Sequence, residues 1–452
     1  MRPRALSDVA GATGGRIQGE DVTVTGAAAD SREVRPGDLF VALRGDRVDG
    51  HDHVPAAFDA GAAAALVSRE GSRGPAVVVP DTGRGLLDLA GDERRSIDAR
   101  VVGITGSTGK TSVKDLAAAV LAARYRVAAS PRSFNTEVGV PLTLLSAEPS
   151  TEAVVCEMGS RGPGHIRLLC DVALPGVGVV TNVGVAHMEL FGTRAAVADA
   201  KAELVEALPP DGVAVLNADD PVVRGFVGLT EARVLLFGTS ADADVRGEQL
   251  ALDAVGRPSF TLRTPGGAER VELSVSGEHM AWNALAASAC GVAMGLSVGE
   301  CAAALKEARV SPWRMDVFEG PGGVTVVNDA YNANPASMAA ALKAARWIAA
   351  DRRCVAVLGE MAELGDISGE EHERIGELVA RLGVDKLVVV GPAARRIAAG
   401  AVREGVEPDR VTVVDSVDEA LHAVRGLLRH RDVVLVKGSR VAGLERLAEA
   451  LR

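Results

Sequence analysis

At 452 residues, with 47% hydrophobic and 24% charged side chains, the chain is too long for one ordinary core and is expected to form two to four globular domains. A formal net charge of −11 argues against general nucleic-acid binding, which needs lysines and arginines to neutralise phosphates, and no apolar run approaches the ~18 residues of a membrane span. Five cysteines (Cys156, Cys170, Cys290, Cys301, Cys354) show neither metal-ligand nor CxxC spacing, and the amino terminus lacks a secretory signal, so a reducing, cytoplasmic setting is expected.

Residues 1–97 mix short strand-like runs (DVTVTG, GDLFVAL, AALVS, AVVVP) with alanine-rich helical stretches and predict a small α/β domain. Over 98–310 the pattern becomes strand, turn and helix in repetition. RVVGIT, AVVCEMG, GVGVVTNVG and GVAVLNADDP predict a mostly parallel sheet covered by helices. The pattern breaks at Ser311-Pro312-Trp313. It restarts with VTVVND, CVAVLGEM, DKLVVVG, RVTVVD and DVVLVKGS, a third, Rossmann-like α/β domain over 311–452.

The stretch VVGITGSTGKTSVKDLAAAVL (101–121) runs from a strand through a glycine-rich turn into a helix. Phosphate needs several donors aimed at one point. Backbone N–H groups at a helix start supply them, and a lysine adds a movable charge, as Gly106, Gly109, Lys110 and Thr111 promise here. The turn is a variant of G-x-x-x-x-G-K-[ST], because Ile104 stands at the first glycine and Gly103 lies one residue earlier. Thr111, or else Ser112, offers a hydroxyl to magnesium. No N-K-x-D motif suggests a GTPase. Glu157 ends a strand beside the turn, where a carboxylate either holds magnesium or caps the backbone. Taken singly, His187 is a ligand or a structural hydrogen-bonding residue, and Lys201 is a solvated helix charge.

Together these pieces resemble the Mur ligase family of ATP-dependent amino-acid and peptide ligases. The likeness is carried by TGSTGKTS (105–112), EMGSRGPGHI (157–166), TNVGVAHMELFGT (181–193), the lysine of DAKAEL, HMAWNALAA (279–287), SPWRMDVF (311–318) and VVNDAYNANPASM (326–338). It implies ATP and Mg2+ between two domains that close on each other. Thr105, Gly106, Ser107, Thr108, Gly109, Lys110, Thr111 and Ser112 would form the nucleotide cradle, with Asn283 on adenine, Asp329 on ribose and Arg314 reaching the phosphates. Thr111 and Glu157 would hold one magnesium ion, and His187 with a carbamylated Lys201 a second.

The resemblance further implies a uridine-nucleotide site around Ser31 and Arg32 in residues 1–97, and contacts from Asn135 and Thr136 to the muramoyl part. Thr108, Ser112 and Thr136 replace residues more frequent in relatives, small polar changes that should tune binding only. VLGEMAELGD (357–366), NDAYNANPASM with its Asn332 and Asn334, and LVKGSR with Lys437 and Arg440 are similar to the branch whose incoming amine is D-alanyl-D-alanine. The implied partners are UDP-N-acetylmuramoyl-tripeptide and D-alanyl-D-alanine, and a monomer is expected. Alternatives are a sister ligase adding the third peptide residue, a folate polyglutamate ligase, and a P-loop switch without ligase activity.

Overall fold

Runs such as Val101-Val102, Val154-Val155 and Val433-Val434 are apolar without alternation, the pattern of strands covered on both faces. In the computed structural model, which describes residues 1–45, 48–185 and 188–452, each lies inside a parallel-rich sheet flanked by helices. The architecture is α/β with three domains, each built on one sheet of five or more strands, and a fourth sheet is a two-stranded pair.

The first sheet has five strands in the order Arg16–Gln18, Ala76–Val78, Ala64–Val67, Asp38–Val41, Gly26–Ala28, of which only the first is antiparallel to its neighbour. The DVTVTG run is divided. Thr23–Val24 pairs with Arg4–Ala5, and Gly26–Ala28 joins the sheet.

Nine strands form the second sheet, and its parallel part is centred on Arg100–Thr105, between Val177–Val180 and Ala153–Glu157. After Arg100–Thr105 the chain builds one side of the sheet and then crosses to the other, a switch point at which strand ends leave a crevice. Sequence patterning missed the antiparallel edge formed by Val245–Leu252, Pro258–Thr264 and Gly267–Glu272. Those strands are wet on one face, so they lack the continuous apolar run that marked the others.

The third sheet runs Asp316–Gly320, Val324–Asn328, Val433–Lys437, Cys354–Leu358, Lys386–Val390, Val411–Val414, with only the first strand antiparallel. It contains all five strand runs expected after Trp313.

Helix Lys110–Leu121 buries Val113, Leu116, Ala117, Val120 and Leu121, a stripe of helical period that holds the glycine-rich turn against the sheet. Helix Thr82–Ser96, capped by Asp81, buries Leu86 and Leu89 in a core shared between the first sheet, Val154 of the second sheet, and Leu144 and Ile166 on helices that cover it. All five cysteines are free and buried, and burial pushes the Cys156 and Cys290 thiols up to about 12, so they pack as small hydrophobes. Among the described residues no helix is long and apolar enough to cross a membrane.

Candidate active site

The turn after Arg100–Thr105 needs glycine at two points. Gly106 (φ 143°) passes so close to Thr181 that a Cβ would collide with its hydroxyl, and a Cβ on Gly109 (φ 80°) would stand 2.6 Å from Asn283 Oδ1. Asn182, which sequence reasoning did not single out, fixes the turn. Its carbonyl oxygen accepts from Ser107 N (3.0 Å), its Oδ1 accepts from Thr108 N (2.9 Å), and its Nδ2 donates to Thr108 Oγ1 (2.8 Å).

The stretch of the turn open to a ligand is therefore shorter than the motif suggested. Thr105 is buried with its hydroxyl on Met158 O, and neither Thr105 nor Gly106 lines the cavity. The N–H groups of Ser107 and Thr108 are already used. The donors facing outward are those of Gly109 to Ser112, which intrahelical bonding cannot satisfy.

This turn opens into a cavity of about 650 Å³ between the second and third domains. Lys110 Nζ folds back onto Gly106 O (2.7 Å), and burial lowers its ammonium pKa, with Glu157 opposing and Arg314 reinforcing the shift. Glu157, 1% exposed, receives Thr111 Oγ1 (2.7 Å) on Oε2 and Asn135 Nδ2 (2.8 Å) on Oε1, and pairs with no cation among the described residues. A buried carboxylate beside a hydroxyl is a fitting pair of hard oxygen donors for Mg2+. The described residues hold no cluster of three or more His, Cys, Asp or Glu, so phosphate oxygens and water would have to complete the coordination.

From the third domain, Arg314 Nη2 donates to Thr111 Oγ1 (2.7 Å) and Ser133 Oγ (3.1 Å), with the guanidinium 4.2 Å from the centre of the Tyr331 ring. Its neighbours Trp313 (φ 62°) and Met315 (φ 53°) both adopt left-handed backbone, a strained arrangement that turns Arg314 back toward the P-loop. Asn283, Thr136, Asp329, Asn332 and Asn334 also line the cavity, as do Trp282 and His279. Trp282 is held by Asp219, which accepts its Nε1–H (2.7 Å) as well as donors from Thr239 and Ser240.

Other expectations need revision. Lys437, the last residue of strand Val433–Lys437, lines the cavity, but its charge is already paired. It is 1% exposed, and its Nζ goes to Asp329 Oδ2 (2.6 Å) and Asn332 O (2.8 Å), because a lysine at the end of a buried strand must be paired. Asn334 caps helix Pro335–Ala349 through Ser337 N, and Asn332 Oδ1 accepts from Ala333 N, so both carboxamides serve local turns as well as the cavity wall. Ser31 and the exposed Arg32 lie outside the cavity, with Arg32 paired to Asp30. His187 lies outside the described residues.

Arg440 does face outward at the rim, paired to Glu445 (2.8 Å) and 4.7 Å from the Trp313 ring centre. The KGSR and GEMAELGD segments meet, since Ser439 N donates to Glu360 O (2.8 Å) and Ala362 N to Ser439 Oγ (2.8 Å). Between them and the P-loop is a second cavity of about 180 Å³, walled by Lys110, Asn334, Glu363 and Arg440.

Lys201, on helix Arg194–Glu206, is buried to 1% exposure, and its Nζ has no hydrogen-bond partner among the described residues. Burial first, and the Lys110 charge second, lower its pKa to about 7. It is thus no solvated helix charge.

Models of the Mur ligase middle domain, the Mur ligase glutamate ligase domain and the Mur ligase family catalytic domain match residues 104–291, 313–440 and 23–84. A UDP-N-acetylmuramoyl-tripeptide–D-alanyl-D-alanine ligase from Mycobacterium tuberculosis is 44% identical over 493 aligned positions, covering 99% of this chain and 96% of that one. The crystal structure of MurF from Acinetobacter baumannii superposes with a TM-score of 0.89 at 28% identity, over 99% of this chain and 98% of that one. MurF ligase from Thermotoga maritima, solved in complex with ADP, gives 0.80 at 30% identity, over 95% and 97%.

Proposed function

This chain belongs to the Mur ligase family, and we propose that it joins D-alanyl-D-alanine to UDP-N-acetylmuramoyl-tripeptide, converting ATP to ADP and phosphate. The observation that carries this is the pair of cavities meeting at Lys110. The larger has the P-loop on one side and Arg314 on the other; the smaller is walled by side chains of both signs, among them Lys110, Arg440 and Glu363.

The chemistry is acyl transfer in two steps. A carboxylate oxygen of the tripeptide bonds to the γ-phosphorus of ATP as the bond to the β,γ-bridging oxygen breaks, giving an acyl phosphate and ADP. The dipeptide amine, having lost a proton, then bonds to the acyl carbon, and phosphate leaves with the C–O electron pair. Three anionic groups must come together, so positioned positive charge is the main requirement. The N–H groups of Gly109 to Ser112 hold the phosphates, and Lys110 and Arg314 approach the transferred group from two domains. Thr111 and Glu157 would hold Mg2+, which would supply further neutralisation there.

Arg440 is assigned to the dipeptide's terminal carboxylate, and the first domain, with Ser31 and Arg32, to the uridine nucleotide. The 98–310 and 311–452 units are assigned as closing on ATP. Lys201 is assigned as a carbamate. A buried amine with a pKa near 7 and no partner among the described residues is substantially neutral at physiological pH, and a neutral amine adds to carbon dioxide, losing a proton, to give an anionic oxygen pair.

The test is product formation by the purified chain. ADP and phosphate are expected only when ATP, the UDP-tripeptide and D-alanyl-D-alanine are all present. Turnover with UDP-dipeptide and diaminopimelate instead would make it a sister ligase, and phosphate release without any acceptor would remove the ligase assignment.

A further inference from the structure

One turn beyond Lys110 and Thr111, on the same helix, stand Lys114 and Asp115, neither of which lines the cavity. Lys114 is 2% exposed, and its three ammonium donors are all used: Ser130 O at 2.8 Å, Arg132 O at 2.9 Å and Asp115 Oδ1 at 2.7 Å. The other oxygen of Asp115 crosses the domain boundary, accepting Ser311 N at 2.7 Å.

Each of these contacts leads back to the phosphate site. Ser311 is three residues before Arg314, whose guanidinium rests on Thr111 Oγ1 and Ser133 Oγ. Ser133 itself follows the two carbonyls that Lys114 holds, in a segment where Arg132 adopts left-handed backbone (φ 50°) and needs an external tie. The contacts therefore form a closed ring: P-loop helix, Lys114 and Asp115, interdomain linker, Arg314, Ser133, and Lys114 again.

We propose that Lys114 and Asp115 are positioning residues for phosphoryl transfer, the joint through which the P-loop helix sets both the insertion of Arg314 and the placement of Ser133. A buried ion pair is a poor source of net stability, because desolvation offsets most of its attraction. What it supplies is direction. Asp115 turns a backbone N–H of the linker into a fixed point, and the flanking left-handed residues Trp313 and Met315 leave the segment after that point little freedom. The proposal rests on the ligase assignment above for its kinetic test only.

The experiment uses the full chain with Asp115→Ala, Arg314→Ala and the double substitution. If Asp115 acts by aiming Arg314, Asp115→Ala lowers kcat by about a hundredfold, the scale of a small misplacement of a catalytic group, while the Kd for ADP changes less than about threefold. The double variant then falls within about twofold of Arg314→Ala alone, because the second change removes an aim that no longer has an object. Asp115→Glu, which restores the acceptor, recovers part of the loss. A general structural role predicts multiplied losses in the double variant and weakened ADP binding in parallel with kcat, and either result would overturn the proposal.

Amide hydrogen exchange gives a readout that needs no turnover. Peptides covering 309–316 and 130–134 should exchange faster in Asp115→Ala and in Lys114→Met, with the strands of the first sheet unchanged. Unchanged exchange at both segments refutes the joint even if activity falls. If the wild-type chain makes no product while the two variants show this exchange pattern, the result counts against the substrate assignment alone.

Discussion

Lys201 illustrates how a single residue can be costly to the fold and yet be assigned to the chemistry. Its amine titrates near 7 when buried, against an ordinary value of 10.5, so between about pH 7 and 10.5 the unfolded chain holds a proton that the native chain has released. Stability contributed through this group therefore rises with pH across that window, and below about 7 the full cost of burying an unpartnered ammonium stands. Lys201→Met should remove that cost. In carbon-dioxide-free buffer its melting temperature should exceed wild type by about 2 °C or more at pH 6, and the difference should shrink by pH 9. Calorimetry at the two pH values decides, and a pH-independent difference would refute the titration. The same variant should be inactive. With the carbamate assigned here, wild-type kcat/KM should fall as pH drops through about 7, where protonation removes the nucleophilic amine, and Lys201→Ala should regain part of its activity in acetate at fixed ionic strength.

At the scale of elements, what the sequence revealed depended on whether chemistry was written into neighbouring residues. The P-loop was legible because strand, Gly106, Gly109, Lys110 and helix are consecutive, and the central strands because burial on both faces leaves uninterrupted apolar runs. Asn182 and Asp219 were not legible as supports, since an asparagine after one strand and an aspartate after another acquire their roles only when the sheet brings them to Ser107 and Trp282. The KGSR segment shows the opposite error. Two cations three residues apart looked equivalent, yet Lys437 ends a strand buried on both faces while Arg440 lies beyond it in solvent.

They should separate on substitution. Lys437→Met leaves Asp329 unpaired in a largely buried site and should cost about 3–5 kcal/mol of stability, read by denaturant unfolding of the third domain. Arg440→Ala should leave stability unchanged and raise the KM for D-alanyl-D-alanine roughly tenfold or more, the loss expected for one charge-assisted contact, with little change in the KM for ATP. Equal effects on both substrates would show that Arg440 has no special relation to the dipeptide.

Across the whole molecule both domain junctions include apolar packing, and they differ in what else they hold. The third domain meets the second through a buried cluster that runs from Val102 and Leu285 to Met338 and Val433, through the linker, through hydrogen bonds such as Ser311 to Asp115 and Trp347 Nε1 to Asp253 O (2.9 Å), and around the larger cavity. The first domain shares an apolar core with the second through helix Thr82–Ser96, and such a junction does not slide without exposing that core. Arg94, in the last turn of that helix, completes it: Nε donates to Ala173 O (2.8 Å) and Nη2 to Leu174 O (3.4 Å), at the end of helix His165–Ala173, while Nη1 reaches Ile97 O (3.2 Å). Removing the side chain leaves those partly buried carbonyls without their donor. Arg94→Ala should therefore destabilise the chain by about 1–3 kcal/mol. Its kinetic effect should follow the junction it sits in. If the first domain holds the uridine nucleotide in a fixed position relative to the P-loop, the KM for the UDP-substrate rises while the KM values for ATP and the dipeptide, assigned to the other junction, stay near wild type. A uniform rise in all three would mean that the first domain's orientation does not specifically govern the nucleotide-sugar.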